Sequence, residues 1–217
     1  MRNNAKHQQL DREEQSSNEQ KAFVFRGGNL ALDLVNTEVM ARGKRTDLLR
    51  TPQDACQWWE MARQAHPQAT REVNPVEWDE QQLLALYSLR RSLRDLFELV
   101  AAQHQVNNHH VKILNAFLRE GYYSLEVSPE GNLYATYQPR QDEGTTAVLP
   151  IAFAALRLLT EQDLSRLHAC QNDQCILLFY DTTRSATRHW CSIACTNRAR
   201  SRQNYRQAKE RISQFGI

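Results

Sequence analysis

The 217-residue chain is longer than one typical domain and shorter than two, and its 27 basic and 25 acidic residues leave a formal charge of only +2, which by itself says little about partners. No run of about 18 apolar residues occurs, which excludes a membrane-spanning helix, and the P-loop, dinucleotide-binding and serine-nucleophile signatures are missing. The expectation is a non-enzymatic chain with one main domain and a small appended unit.

Residues 1–21 are polar and lack an apolar signal-peptide segment, so they read as a disordered arm on a cytoplasmic protein. The next stretch, "AFVFRGGNLALDLVNTEV", predicts a strand, a Gly27-Gly28 turn and a short helix bearing Leu30, Leu34 and Val35. Arg26, Asp33 and Asn36 are polar residues in this apolar setting. Asp33 and Asn36 read as caps of the helix ends, and the three together are the candidates for a ligand pocket. Thr51-Pro52 starts a helix over "QDACQWWEMARQA", in which Cys56 is expected to be a small core residue and at least one of Trp58 and Trp59 to pack inward.

From Asp79 to about Ala102, Leu83, Leu86, Tyr87, Leu93, Phe97 and Val100 follow the 3.6-residue period of a long amphipathic helix, with Arg90, Arg91 and Arg94 on a solvated or ion-paired face. "NNHHVKILNAFLRE" predicts a shorter helix with His109 and His110 at its surface. "YYSLEVSPEGNLYATYQ" predicts a hairpin about a Ser-Pro-Glu-Gly-Asn turn, and "VLPIAFAALRLLT" the most buried helix. Residues 22–160 therefore read as an α+β domain, helix-dominated with a small antiparallel sheet.

Four of the five cysteines fall between positions 170 and 195, spaced Cys170-x4-Cys175 and Cys191-x3-Cys195 with fifteen residues between the pairs. Two close pairs set four thiolates around one tetrahedral ion, zinc first and iron as the competitor, and four protein ligands close the sphere, so the site is structural. His168 and His189 are alternative ligands or neighbours of the site. The segment between the pairs predicts a hairpin with a strand over 176–180, a turn over 181–186 and a return over 187–190. Cys195 opens a helix to about Ser213, completing a treble-clef-like unit over 161–217 whose stability depends on its metal by on the order of 10 kcal/mol.

Charge in this unit is one-sided: from Arg184 onward the basic residues are Arg184, Arg188, Arg198, Arg200, Arg202, Arg206, Lys209 and Arg211, against Glu210 alone. At 100° per residue Arg198, Arg202, Arg206 and Lys209 form one stripe, and Ala194, Ser201, Tyr205, Ala208 and Ile212 form an adjacent apolar stripe expected to dock on the hairpin. Such a helix presents guanidinium groups to a phosphate backbone or a major groove.

"LFYDTTRSATRHWCSIACTNRARSRQNYR" resembles the CGNR zinc finger, and "GGNLALDLVNT" resembles the start of the ABATE domain that precedes that finger. The resemblance covers about residues 22–210. It implies a stress-induced transcription regulator whose finger binds DNA, with Asn197 and Arg198 of the signature retained, and whose upstream domain senses a small-molecule effector. The signature's glycine is Thr196 here. A zinc-stapled RNA-binding or protein-interaction module is the second reading, and a ligand-binding or enzymatic upstream domain anchored by the finger is the third.

Overall fold

The computed structural model describes residues 23–70, 78–103, 106, 108–140 and 148–215, with side chains described for all but 136, 137 and 211–215. The arm expected over 1–21 lies outside the described residues.

Helix α1 (Leu30–Val35) begins where the Asn29 side chain accepts from the Ala31 N–H, and all six of its residues are buried. The strand expected before it does not form; instead Gly27 offers its carbonyl to Tyr180 N at 2.8 Å, far along the chain. After α1 comes a hairpin that the sequence pattern did not reveal. Strands β1 (Glu38–Ala41) and β2 (Lys44–Asp47) pair from Glu38↔Asp47 to Ala41↔Lys44. Arg42 and Gly43, at φ 52° and 77°, make the two-residue turn whose twist suits a hairpin.

Helix α2 (Pro52–Ala65) carries the full capping box, Thr51 receiving the Asp54 N–H and Asp54 reaching back. It buries Ala55, Trp58, Trp59 and Ala62, a stripe that leaves Cys56 exposed, contrary to its expected place in the core. Both tryptophans pack: Trp58 stacks on Phe25 with centroids 6.3 Å apart, and Trp59 meets Trp78 edge-on at 6.0 Å. A short helix, α3 (Pro67–Thr70), follows.

Helix α4 (Glu80–Gln103) is the spine of the molecule, and it buries Arg90 and Arg94 as well as its leucines. Their ion pairs were foreseen; their burial was not. Arg90 grips both carboxylate oxygens of Asp47 and donates to Thr37 Oγ1 at 2.8 Å. Arg94 donates through Nε to Glu38 at 2.8 Å and through Nη1 to Glu98 and to the Ile176 carbonyl, both at 3.1 Å. Burial would raise the Glu38 carboxyl, but the hydrogen bond from Arg45 and the guanidinium groups of Arg90 and Arg94 hold it below its ordinary value.

Helix α5 (Asn108–Leu118) exposes His109, and hairpin β3 (Gly121–Val127) with β4 (Leu133–Pro139) turns at Gly131, φ 82°. Helix α6 (Leu149–Glu161) is buried from Leu149 through Ala155, as expected. A 3-10 turn, Leu164–Arg166, leads into β5 (Leu167–Ala169), which pairs antiparallel with β6 (Leu178–Tyr180). The chain ends in α7 (Ile193–Phe215). This is the expected α+β arrangement of helices, small antiparallel sheets and a C-terminal cysteine unit. Leu167 and Leu178 of β5 and β6 belong to the same apolar cluster as α1, α4 and α6, while Cys170, Leu177, Phe179, Cys191 and Cys195 form a second, smaller cluster around the cysteines.

Asn36 makes the packing of β6 specific. Its side chain is fully buried, donates to the Leu178 carbonyl at 2.8 Å and accepts the Leu178 N–H at 2.9 Å, standing in for a third strand beside β6. In the Asn36→Ala variant both backbone groups of Leu178 lose these buried partners, and the expected loss is about 2–4 kcal/mol in urea unfolding. A change below about 0.5 kcal/mol would refute this role.

Candidate metal centre

Each cysteine pair is placed by a distinct local device. Between β5 and β6 the chain turns through Asn172, whose carbonyl accepts Cys175 N at 2.8 Å and whose Oδ1 accepts Gln174 N at 3.1 Å. This turn sets Cys170 and Cys175 side by side. At the other pair, Ser192 Oγ accepts Cys195 N at 3.2 Å, an N-cap that starts α7 so that Cys195 lies in its first turn beside Cys191.

The four sulfur atoms lie within 4.8 Å of one another, with Cys175 and Cys191 3.8 Å apart and Cys191 and Cys195 3.6 Å apart. A tetrahedral ion with bonds of about 2.3 Å requires sulfur separations of about 3.8 Å, so this donor set fits zinc. Mutual hydrogen bonds among the thiols hold Cys170 below the ordinary thiol value and Cys175 and Cys191 above it. Four adjacent thiolates repel one another, and a divalent cation between them offsets that repulsion. The backbone N–H of Cys191, 3.5 Å from Cys170 Sγ, adds a donor suited to a thiolate ligand. Cys170, Cys175, Cys191 and Cys195 hold one structural zinc ion, and His168 and His189 stand outside the sulfur cluster.

The hairpin between the pairs differs from expectation. Strand β6 pairs with β5, upstream of Cys170, and residues 187–190 form no strand. The reason is Asp181, fully buried, which accepts Thr183 N at 2.9 Å, Thr183 Oγ1 at 2.7 Å and Arg188 N at 2.9 Å and so takes backbone donors that a ladder would use. Burial alone would raise its carboxyl, but the hydrogen bonds from Thr183 and Arg188 and the Arg188 charge hold it at about 2.

The residues expected at nucleic acid separate into three groups. Arg188 is structural: it lies 4.6 Å over the Phe179 ring and donates to the carbonyls of Trp190 and Cys191 at 3.3 and 2.7 Å. Arg202 and Arg206 face Asp173 in the turn between β5 and β6, Arg202 in close contact and Arg206 at 3.8 Å. Arg184, Asn197, Arg198, Arg200 and Lys209 are exposed, and among the described residues Arg184, Arg198 and Arg200 have no acidic partner. The apolar stripe expected to dock does not: Ala194, Ser201, Tyr205 and Ala208 are exposed, and the Ile212 side chain lies outside the described residues. Cys195 decides this, because its sulfur must face the metal, and Ala199 and Arg202 follow it onto the sheltered side. Thr196 fits without strain in the first turn, its hydroxyl donating to the Ser192 carbonyl at 3.2 Å.

Arg26, Asp33 and Asn36 do not converge on a cavity. Arg26 is exposed; Asp33 accepts the N–H groups of Arg26 and Gly27 at 2.9 and 2.7 Å and meets His66 Nε2 at 2.7 Å; Asn36 holds β6. Sequence reasoning missed the roles of Asp173, Asp181 and Ser192. Ser192, directly ahead of the helix, was recoverable as a cap; the contact between Asp173 and α7 spans 29 residues and left no local signal.

A family model described as "Putative stress-induced transcription regulator", ABATE, matches residues 28–162, and a CGNR zinc finger model matches residues 166–208. The chain belongs to the ABATE family. The order of the two matched segments is the one its sequence resemblance implied, and the four-cysteine centre lies within the CGNR segment. A search of curated proteins found no match. Among the described residues no helix of this ABATE protein is long and apolar enough to cross a membrane.

Metal analysis tests the centre. Wild-type protein should carry one zinc per chain, Cys191→Ser should lose it, and Cys56→Ser should keep it with stability unchanged within about 0.5 kcal/mol. Zinc loss in the Cys56 variant would contradict the ligand set. For Asp181 the sign follows from its depressed value: the stabilisation is present above the unfolded carboxyl range near 3.9 and fades as pH falls toward 2. At pH 7 the Asp181→Ala variant should therefore lose about 3–5 kcal/mol, measured by denaturant unfolding of the zinc-loaded protein.

Proposed function

We propose that this protein is a non-enzymatic, cytoplasmic, DNA-binding transcription regulator, in which α7 meets the nucleic acid and the N-terminal domain senses a small ligand. The observation that carries the reading is the exposure of α7: every residue from Gln203 to Glu210 is exposed, on a helix whose base is fixed by a closed metal site. An exposed rigid helix is the shape a major groove about 12 Å wide accepts. Arg198 and Arg200, with Arg184 of the preceding loop, supply guanidinium groups free to take phosphate or base edges. Arg202 and Arg206 would exchange Asp173 for phosphate.

A titration of duplex DNA against the zinc-loaded protein at several salt concentrations tests this. Where Arg198 or Arg200 touches phosphate, its change to alanine should reduce the slope of log K against log salt by about 0.9, and Asp173→Asn should tighten binding by releasing two arginines. An undetectable interaction at low salt would end the DNA reading. The second reading, a protein-interaction helix, is favoured by Ile193 and Tyr205, which are 80% and 72% exposed on α7. If it holds, alanine at these two positions should abolish a partner contact while leaving the DNA titration unchanged.

A further inference from the structure

A cleft of about 330 Å³ lies at the meeting of the N-terminal domain and the cysteine unit. One wall is apolar, built from Tyr123 and Ala135 of the β3–β4 hairpin and Pro150, Phe153 and Leu158 of α6. The Tyr123 and Phe153 rings already meet at 4.6 Å, and burial raises the Tyr123 hydroxyl above its ordinary value. The lining also has polar members: Gln68, Gln162 and Thr182 offer neutral hydrogen-bonding groups, and Arg157 and Glu161 are paired at 3.1 Å.

We propose that this cleft binds a small aromatic monocarboxylate, which deepens, and rests on, the reading of the N-terminal domain as a ligand sensor. The volume is at the lower limit for ligand sites and admits one ring with a short acidic arm rather than a dinucleotide. Tyr123 and Phe153 give that ring a partner of suitable geometry. Arg157 gives the acid its counter-charge. Only its Nε is engaged, by Glu161 at 3.1 Å, and its two terminal nitrogens have no protein partner among the described residues, leaving a fork that matches a carboxylate. Glu161 beside the fork repels a dianion more than a monoanion, which favours a carboxylate over the phosphate dianion.

The position of the cleft gives the binding a consequence. Tyr180 and Thr182 line it and flank Asp181, the anchor of the loop that carries Arg184 and Arg188. Gly28, which also lines the cleft, has φ +75° and brings its backbone against Tyr180, where a Cβ would sit 3.6 Å from the Tyr180 carbonyl oxygen. A ligand in the cleft therefore touches both the turn that receives β6 and the segment that leads to the cationic loop.

Calorimetric titration of the full-length, zinc-loaded protein with phenylacetate, phenylacetamide and inorganic phosphate tests the assignment. Phenylacetate should bind and phosphate should not. Arg157→Gln should weaken phenylacetate about tenfold or more while leaving phenylacetamide little changed, and Ala135→Trp, which fills the cleft, should abolish both. Arg45→Gln, remote from the cleft, should alter neither. Circular dichroism and zinc content of each variant report folding, so that a collapsed variant is not mistaken for a lost site. No binding of phenylacetate at millimolar concentration, or binding that survives both cleft variants, overturns the proposal. Repeating the DNA titration with phenylacetate separates the two readings: cleft-dependent binding without a change in DNA affinity keeps the site and removes the sensor, whereas a DNA response insensitive to both cleft variants keeps the sensor and removes this site.

Discussion

The geometry of the metal centre depends on one small fact: β6 is held from the side by the amide of Asn36. Strands β5 and β6 have three residues each, too few to persist as an isolated two-stranded sheet. Asn36 supplies the missing neighbour through two buried hydrogen bonds, Gly27 adds a third to Tyr180, and Arg94 reaches from α4 to the Ile176 carbonyl. Cys170 follows β5 directly, and Cys175 precedes Ile176 by one residue. The segment that carries the first two ligands is thus tied to the N-terminal domain by hydrogen bonds and by the packing of Leu167 and Leu178 in its core.

Charge inside this core is tolerated because each buried ion has its opposite at hand. Arg90 has Asp47, Arg94 has Glu38 and Glu98, and Asp181 has three N–H or O–H donors and a nearby guanidinium. The thiol cluster is the exception, for apart from the Cys191 N–H beside Cys170 the four sulfurs face mainly one another. Zinc supplies the opposite charge that the sequence leaves out there. Losing one partner of such a set strands the other in a medium that solvates it poorly, a cost larger than the net value of the intact pair. The polar residues of "GGNLALDLVNT" serve this same interior bookkeeping, which is why they look like a binding motif in sequence and act as structural ties in the fold.

What was legible in the sequence was whatever has a period or a fixed spacing. The stripes of α4 and α6, the capped start of α2, the glycine turn of β3–β4 and the paired cysteines all express local rules, and apart from the buried Arg90 and Arg94 of α4 they appear as read. Hairpin β1–β2 was not legible, since its strands are only four residues long, β2 is wholly polar, and the partners of Glu38 and Asp47 on α4 lie more than 40 residues away. The place of Cys56 was misjudged because the tryptophans beside it widen the apolar side of α2 without including it. Pairing of β6 with β5 was hidden for a related reason: a carboxylate, Asp181, takes the Thr183 and Arg188 N–H donors of the return segment in which the pattern predicts a strand.

The same distinction explains the long helix. Hydrophobic pattern alone would have turned Tyr205 and Ala208 inward, yet a single metal ligand in the first turn outweighs a weak apolar stripe, because a zinc–thiolate bond fixes the rotation of the helix about its axis. Once Cys195 faces the zinc, Arg202 and Arg206 recur on that face at helical spacing and meet Asp173 in the turn that carries the other two ligands. The metal therefore does more than close a small fold. It chooses which guanidinium groups are held against the protein and which, Arg198 and Arg200 among them, are left to the solvent.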